Sequence, residues 1–70
     1  MKLSARNVIK GTVTRVKTGP LNTLVAIEVA PGLELTSVVT SESAKSLKLK
    51  RGKTAYAIVK ASSVILGVDD

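Results

Sequence analysis

Neither cysteine nor histidine occurs in the 70 residues, which removes disulfide staples and the common zinc sites. The same two absences take away the commonest nucleophile–base pairs of enzymes. The serines have no visible base to activate them. The five acids, Glu28, Glu34, Glu42, Asp69 and Asp70, form no spaced pair suited to acid–base work. A non-catalytic protein is expected. Only one aromatic residue, Tyr56, is present, whereas single-stranded nucleic-acid sites stack bases on several rings. No stretch promises a helix long and basic enough to read a major groove. No apolar run approaches the roughly 18 residues needed to span a bilayer. Met1-Lys2-Leu3-Ser4 lacks the apolar core of a signal peptide, so the cytoplasm is the default expectation.

What is present is apolar bulk and positive charge. Hydrophobic residues make up 44% of a chain long enough for one domain, 1–70, at most. At this size core burial barely offsets chain entropy, so a small scaffold usually needs a staple. Without cysteine or a metal site, self-association is the staple that remains. Eleven Lys and Arg against five acids give a net charge of +6. That balance favours an anionic partner: nucleic acid, an acidic surface or a small oxyanion. Part of the charge, Lys48-Leu49-Lys50-Arg51-Gly52-Lys53, also reads as an ordinary solvated turn.

Residues 7–17 are rich in Val, Ile and Thr and read as a strand, with Ile9, Gly11 and Val13 on one face. Val16 falls on the other parity, which predicts a bulge near Thr14-Arg15. Gly11 in mid-strand suits a tightly bent barrel strand. Thr18-Gly19-Pro20 marks a turn. A second strand over 21–29 places Val25, Ile27 and Val29 on one face and Leu24 and Ala26 on the other, making the second face a candidate subunit interface. Pro31-Gly32 joins it to a third strand, Leu33–Thr40, as a hairpin. Thr40-Ser41-Glu42-Ser43 starts a helix of about two turns, with hydroxyls to cap it and an acid in its first turn. A fourth strand follows over 53–60, and 64–68 reads as a short fifth. The expected fold is therefore all-β: a small five-stranded OB-like barrel with one short helix between strands 3 and 4.

Three donor clusters stand at strand ends, where loops converge: Ser4-Ala5-Arg6, Thr40-Ser41-Glu42-Ser43 and Lys60-Ala61-Ser62-Ser63. Singly, each has a plain reading as a wet strand edge, a helix cap or a solvated lysine. Jointly they hold two cations, several hydroxyls and backbone donors, with Glu42 the only acid nearby. Donors without a neutralising carboxylate suit an anion better than a metal cation, and the helix start adds free N–H groups.

Ser4-Ala5-Arg6-Asn7 followed by Gly11 and Val13, Thr36-Ser37-Val38-Val39-Thr40, Leu47-Lys48-Leu49-Lys50-Arg51-Gly52 and Val59-Lys60-Ala61-Ser62 together resemble the molbindin (Mop) family of molybdate-binding proteins. The resemblance implies an OB-like barrel assembled as a homohexamer, a trimer of dimers, that stores molybdate or tungstate at subunit interfaces. It places the main oxyanion site on Ser4, the Ala5 N–H, Arg6 and Lys60, with Ser62 adjacent, and on Thr40 and Ser43 from a neighbouring subunit. It also implies a second site near the three-fold axis, around Lys17, Thr18, Gly19 and Leu21, where Pro20 removes one N–H donor. No organic cofactor is expected, because a pterin would want a stacking partner. The rival reading is a basic OB-type nucleic-acid-binding module, supported by charge and fold and weakened by the missing aromatics.

Overall fold

The computed structural model describes residues 7–69. Its strands are β1 (Asn7–Thr18), β2 (Asn22–Ala30), β3 (Leu33–Thr40) and β4 (Thr54–Val59), with the helix α1 (Ser41–Ser46) between β3 and β4. All pairings are antiparallel, in the order β3-β2-β1-β4. Strand β1 is the spine of the sheet. Its first half, Asn7 to Thr12, pairs with β4; its second half, Thr12 to Thr18, pairs with β2.

The register of β1 against β2 shifts between Val13 and Arg15, leaving Thr14 as the extra residue. This is the bulge expected from the change of parity: Val13 is buried and Val16 half-buried, and both pack in the core. The Thr14 hydroxyl lies 3.3 Å from the Ala26 carbonyl and 2.7 Å from a Glu34 carboxylate oxygen, which accepts its proton. Gly11, two residues before Val13, is buried. A Cβ there would meet the Glu28 carbonyl oxygen at 2.7 Å, so close strand approach at the bend excludes any larger residue.

The core is small. Val13, Val25 and Ile27 form its centre, with Val16, Val29, Leu35, Val39, Leu49, Ala55 and Ala57 half-buried around it. Strands β3 and β4 are not paired with each other. They flank a groove of about 600 Å³ whose walls include Leu35, Val39, Leu49, Ala55, Ala57 and Val59. The opposite face of β2 departs from expectation in one respect: Ala26 is buried, and only Leu24 keeps partial exposure. That face is therefore not an open apolar surface.

Helix α1 begins as expected. Thr40 is its N-cap, accepting from the Ser43 N–H at 3.1 Å. It ends in a Schellman motif: Leu49 N–H donates to the Ala44 carbonyl and Lys48 N–H to the Lys45 carbonyl, both at 3.0 Å. The motif needs a left-handed residue, and Lys48 supplies it at φ 54° where glycine is usual. Lys53 Nζ caps the same end, donating to the Leu47 carbonyl at 2.6 Å. Lys48→Gly is expected to stabilise the fold by about 0.5–1 kcal/mol, measured by urea unfolding at fixed protein concentration. A loss of stability instead would mean that the lysine stem makes a compensating contact.

The described residues hold four strands, and 64–68, expected as a fifth, forms none. Ala61–Ser63 makes a 3₁₀ turn, after which the chain runs on without a ladder partner. Ile65, Leu66 and Val68 are 94%, 89% and 93% exposed. The accessible surface, 5901 Å², is roughly 40% above the ~4,200 Å² expected of a self-contained monomer of this mass. Much apolar surface in this chain has no cover of its own.

Candidate functional site

The expected donors fall at two opposite ends of β1. Asn22 pairs with Thr40 and Thr18 with Thr23, which puts the start of α1 beside the β1–β2 turn. Thr40 and Ser43 meet here. Besides accepting from the Ser43 N–H, Thr40 Oγ1 donates to Ser43 Oγ at 2.8 Å. Its proton is thereby committed, and the exposed Ser43 hydroxyl keeps its own proton to donate outward. Both residues act as caps within one chain, and the relay through Thr40 polarises the Ser43 donor.

Lys17, Thr18, Gly19 and Leu21 lie at this same end. Lys17 pairs with Leu24, and Gly19 N–H closes the turn on the Asn22 carbonyl at 2.9 Å. The structure thus brings Thr40 and Ser43 next to the residues of the expected second site. Two further residues at this end matter that were not among the expected donors: Ser41, named above only within the helix-start cluster, and Thr23. Ser41 is buried and Thr23 wholly so, and their hydroxyls lie 2.8 Å apart. Ser41 Oγ donates to the Gly19 carbonyl at 2.7 Å, and Ser41 N–H to the Leu21 carbonyl at 2.8 Å. The available signal was helical spacing: Ser41 and Ala44 share one face of α1, and both are buried.

Lys60 and Ser62 occupy the other end. Lys60 follows Val59, which pairs with Asn7, and Ser62 sits in the 3₁₀ turn that Lys60 opens. Both are exposed. Ser4, Ala5 and Arg6 lie outside the described residues. Eleven residue steps of β1 separate Asn7 from Thr18, on the order of 35 Å along an extended strand, in a molecule whose longest extent is 41 Å. Lys60 therefore does not meet the Thr40–Ser43 pair of its own chain. Among the described residues, no buried side-chain nitrogen or oxygen lacks a hydrogen-bond partner. No group of three potential metal ligands occurs among them either, and no helix is long and apolar enough to cross a membrane.

Comparison with known proteins agrees with this architecture. The TOBE domain family matches residues 3–66. A probable molybdenum-pterin-binding protein of Haemophilus influenzae is 46% identical over 99% of this chain and the whole of its own. Among solved structures, MopII from Clostridium pasteurianum is 34% identical and superposes with a TM-score of 0.89, covering 96% of this chain and all of that one. The cytoplasmic molybdate-binding protein ModG, solved with molybdate bound, is 48% identical with a TM-score of 0.93; the chain spans 99% of its own length and 49% of ModG. With the whole length of its small relatives covered, the chain belongs to the TOBE domain family, as a single small OB-like domain of the Mop type.

Proposed function

We propose that this protein binds molybdate or tungstate as the free oxyanion, without catalysis, and stores it in the cytoplasm as a homo-oligomer. The observation that carries this reading is the separation of the donors. Lys60 and Ser62 stand at one end of β1 and Thr40 and Ser43 at the other, so the set closes around one ion only between copies. Relatives named for molybdenum-pterin binding, and ModG with molybdate bound, support the ligand class.

Molybdate is a tetrahedral dianion whose four oxygens accept and never donate. Arg6 and Lys60 supply two positive charges; Ser4, Ser62, Ser43 and the Ala5 amide supply directed donors, with Thr40 behind Ser43. Charge-assisted bonds contribute roughly 1.5–3 kcal/mol each, so several offset the dehydration of the ion. A pterin has less to hold it: Tyr56, on the exposed face of β4, is the single aromatic ring of the chain. In the assembly, the exposed segment 64–68 of one copy fills the groove between β3 and β4 of another and completes a five-stranded barrel. The groove is apolar, its flanking strands are unpaired with each other, and the segment is apolar and uncovered.

Titration calorimetry tests the function. Molybdate is expected to bind at several ions per oligomer, sulfate poorly, and single-stranded DNA weakly and in a salt-sensitive way. With no histidine in the chain and the ion unprotonated, affinity is expected to stay within about twofold from about pH 6 to 8. Tight DNA binding with no molybdate heat would replace this reading by a nucleic-acid module.

A further inference from the structure

The donors at the start of α1 are short side chains on a six-residue helix, and so small an element does not hold its position by itself. Something must fix it against the sheet. Among the described residues, the hydroxyl contacts that tie α1 to β2 and the 19–21 turn are those of Ser41, one residue from Thr40 and two from Ser43. Ser41 has a single hydroxyl proton, and that proton goes to the Gly19 carbonyl. The 2.8 Å contact with Thr23 must then run the other way, with Thr23 O–H donating to Ser41 Oγ. The result is a directed chain: Thr23 hydroxyl to Ser41 hydroxyl to Gly19 carbonyl. The backbone repeats the link through Ser41 N–H to the Leu21 carbonyl. Thr23 itself is held in the last pair of the β1–β2 ladder, opposite Thr18, and has no exposed surface.

We propose that Thr23 and Ser41 are positioning residues for oxyanion binding: their buried hydroxyl chain anchors the helix start to the 19–21 turn, so that the Thr40–Ser43 donors meet the ion at one preset position. The inference rests on the oxyanion reading above and adds to it the residues that set the cage size. Sulfate carries the same charge as molybdate but is smaller, so charge alone cannot separate them. A cage that cannot contract can, because its donors fail to reach the smaller ion. A buried hydroxyl pair provides that stiffness. Thr23 Oγ1 and Ser41 Oγ are buried with these bonds made, so loosening the chain leaves buried polar atoms unsatisfied. Neither residue needs to touch the ion.

The test uses the full chain with molybdate and sulfate as probes. Thr23→Val keeps the shape of the side chain and deletes the donor; Ser41→Ala deletes both hydroxyl bonds. Each is expected to leave the oligomer mass unchanged, to weaken molybdate binding roughly tenfold, the scale on which groups behind a ligand act, and to narrow the molybdate-to-sulfate ratio. Thr23→Ser, which restores a hydroxyl, is expected to restore the ratio. The double variant is expected to be no weaker than Ser41→Ala, because both changes cut one chain. A purely structural pair would lower the melting temperature and leave the ion ratio alone, and that result would overturn the proposal. If Ser41→Ala does not fold, the contrast between Thr23→Val and Thr23→Ser decides. Wild-type protein that binds no molybdate would defeat the oxyanion reading itself. Wild-type binding with all variants equal to it would defeat only the role assigned to Thr23 and Ser41.

Discussion

Lys60→Met is expected to weaken molybdate binding at the main site roughly ten- to a hundredfold while the oligomer stays assembled. Methionine keeps much of the stem of the side chain, so the change isolates the charge. Lys60 is exposed at the end of β4, where its charge contributes little to the stability of its own chain. At the proposed site, facing a dianion, it would contribute more. Losing one charge-assisted bond costs about 1.5–3 kcal/mol, or roughly ten- to a hundredfold in affinity. Arg6→Ala removes a forked donor with two or more such bonds and is expected to lower affinity further. Calorimetry with molybdate, run beside light scattering for mass, separates the outcomes. Affinity within twofold of wild type would return Lys60 to the status of a solvated lysine. Loss of the oligomer would make it a structural residue.

Leu66→Asp is expected to dissociate the assembly. Leu66 is 89% exposed and neighbours Ile65 at 94% in a segment that runs free of the sheet. Seating Leu66 in the apolar groove of another copy stabilises that contact by about 1.5–3 kcal/mol. In a reciprocal pair the contact occurs twice, so the loss is roughly 3–6 kcal/mol. That corresponds to a dissociation constant raised roughly a hundred- to ten-thousandfold, before the cost of desolvating the new carboxylate. Sedimentation at micromolar concentration is the measurement. An unchanged mass for Leu66→Asp, and for the double variant Ile65→Asp/Leu66→Asp, would sink the role of this segment and require another surface, such as the exposed Tyr56–Ile58 face of β4. If the donors are shared between copies, as proposed, the same variant is expected to lose molybdate binding although it alters no donor.

The features read correctly from sequence were those decided within a few residues. The step from Val13 to Val16 breaks a period of two, and the Thr14 bulge follows from it. Pro31-Gly32 gives the hairpin, Gly32 adopting φ 76° in its turn. Thr40 caps α1 because a hydroxyl and an acid stand at its start. Ala26 was misread because alternation assigns a face but does not say how deeply a small side chain on it is buried. Segment 64–68 has the composition of a strand, and composition does not supply the ladder partner that the described residues lack. The candidate site divided the same way. Thr40 and Ser43 were legible as a pair close in sequence. Their distance from Lys60, and their nearness to the 19–21 turn, come from pairings such as Asn22 with Thr40 and Asn7 with Val59. Ser41 and Thr23 were not among the expected donors because a small hydroxyl residue looks the same in sequence whether it is solvated or buried in a bond.

A strand with one set of donors at each end also sets the thermodynamics of release. When an ion bridges two copies, its binding and their association are linked, and each strengthens the other by mass action. Occupancy then depends on how much of the protein is present as well as on how much of the ion. Diluting or degrading the protein discharges its cargo with no change at the donors themselves, whereas accumulating it lowers the free concentration of the ion more steeply than independent sites would. On the proposed reading, a chain whose donors meet only between copies is a reservoir whose level is set by its own abundance.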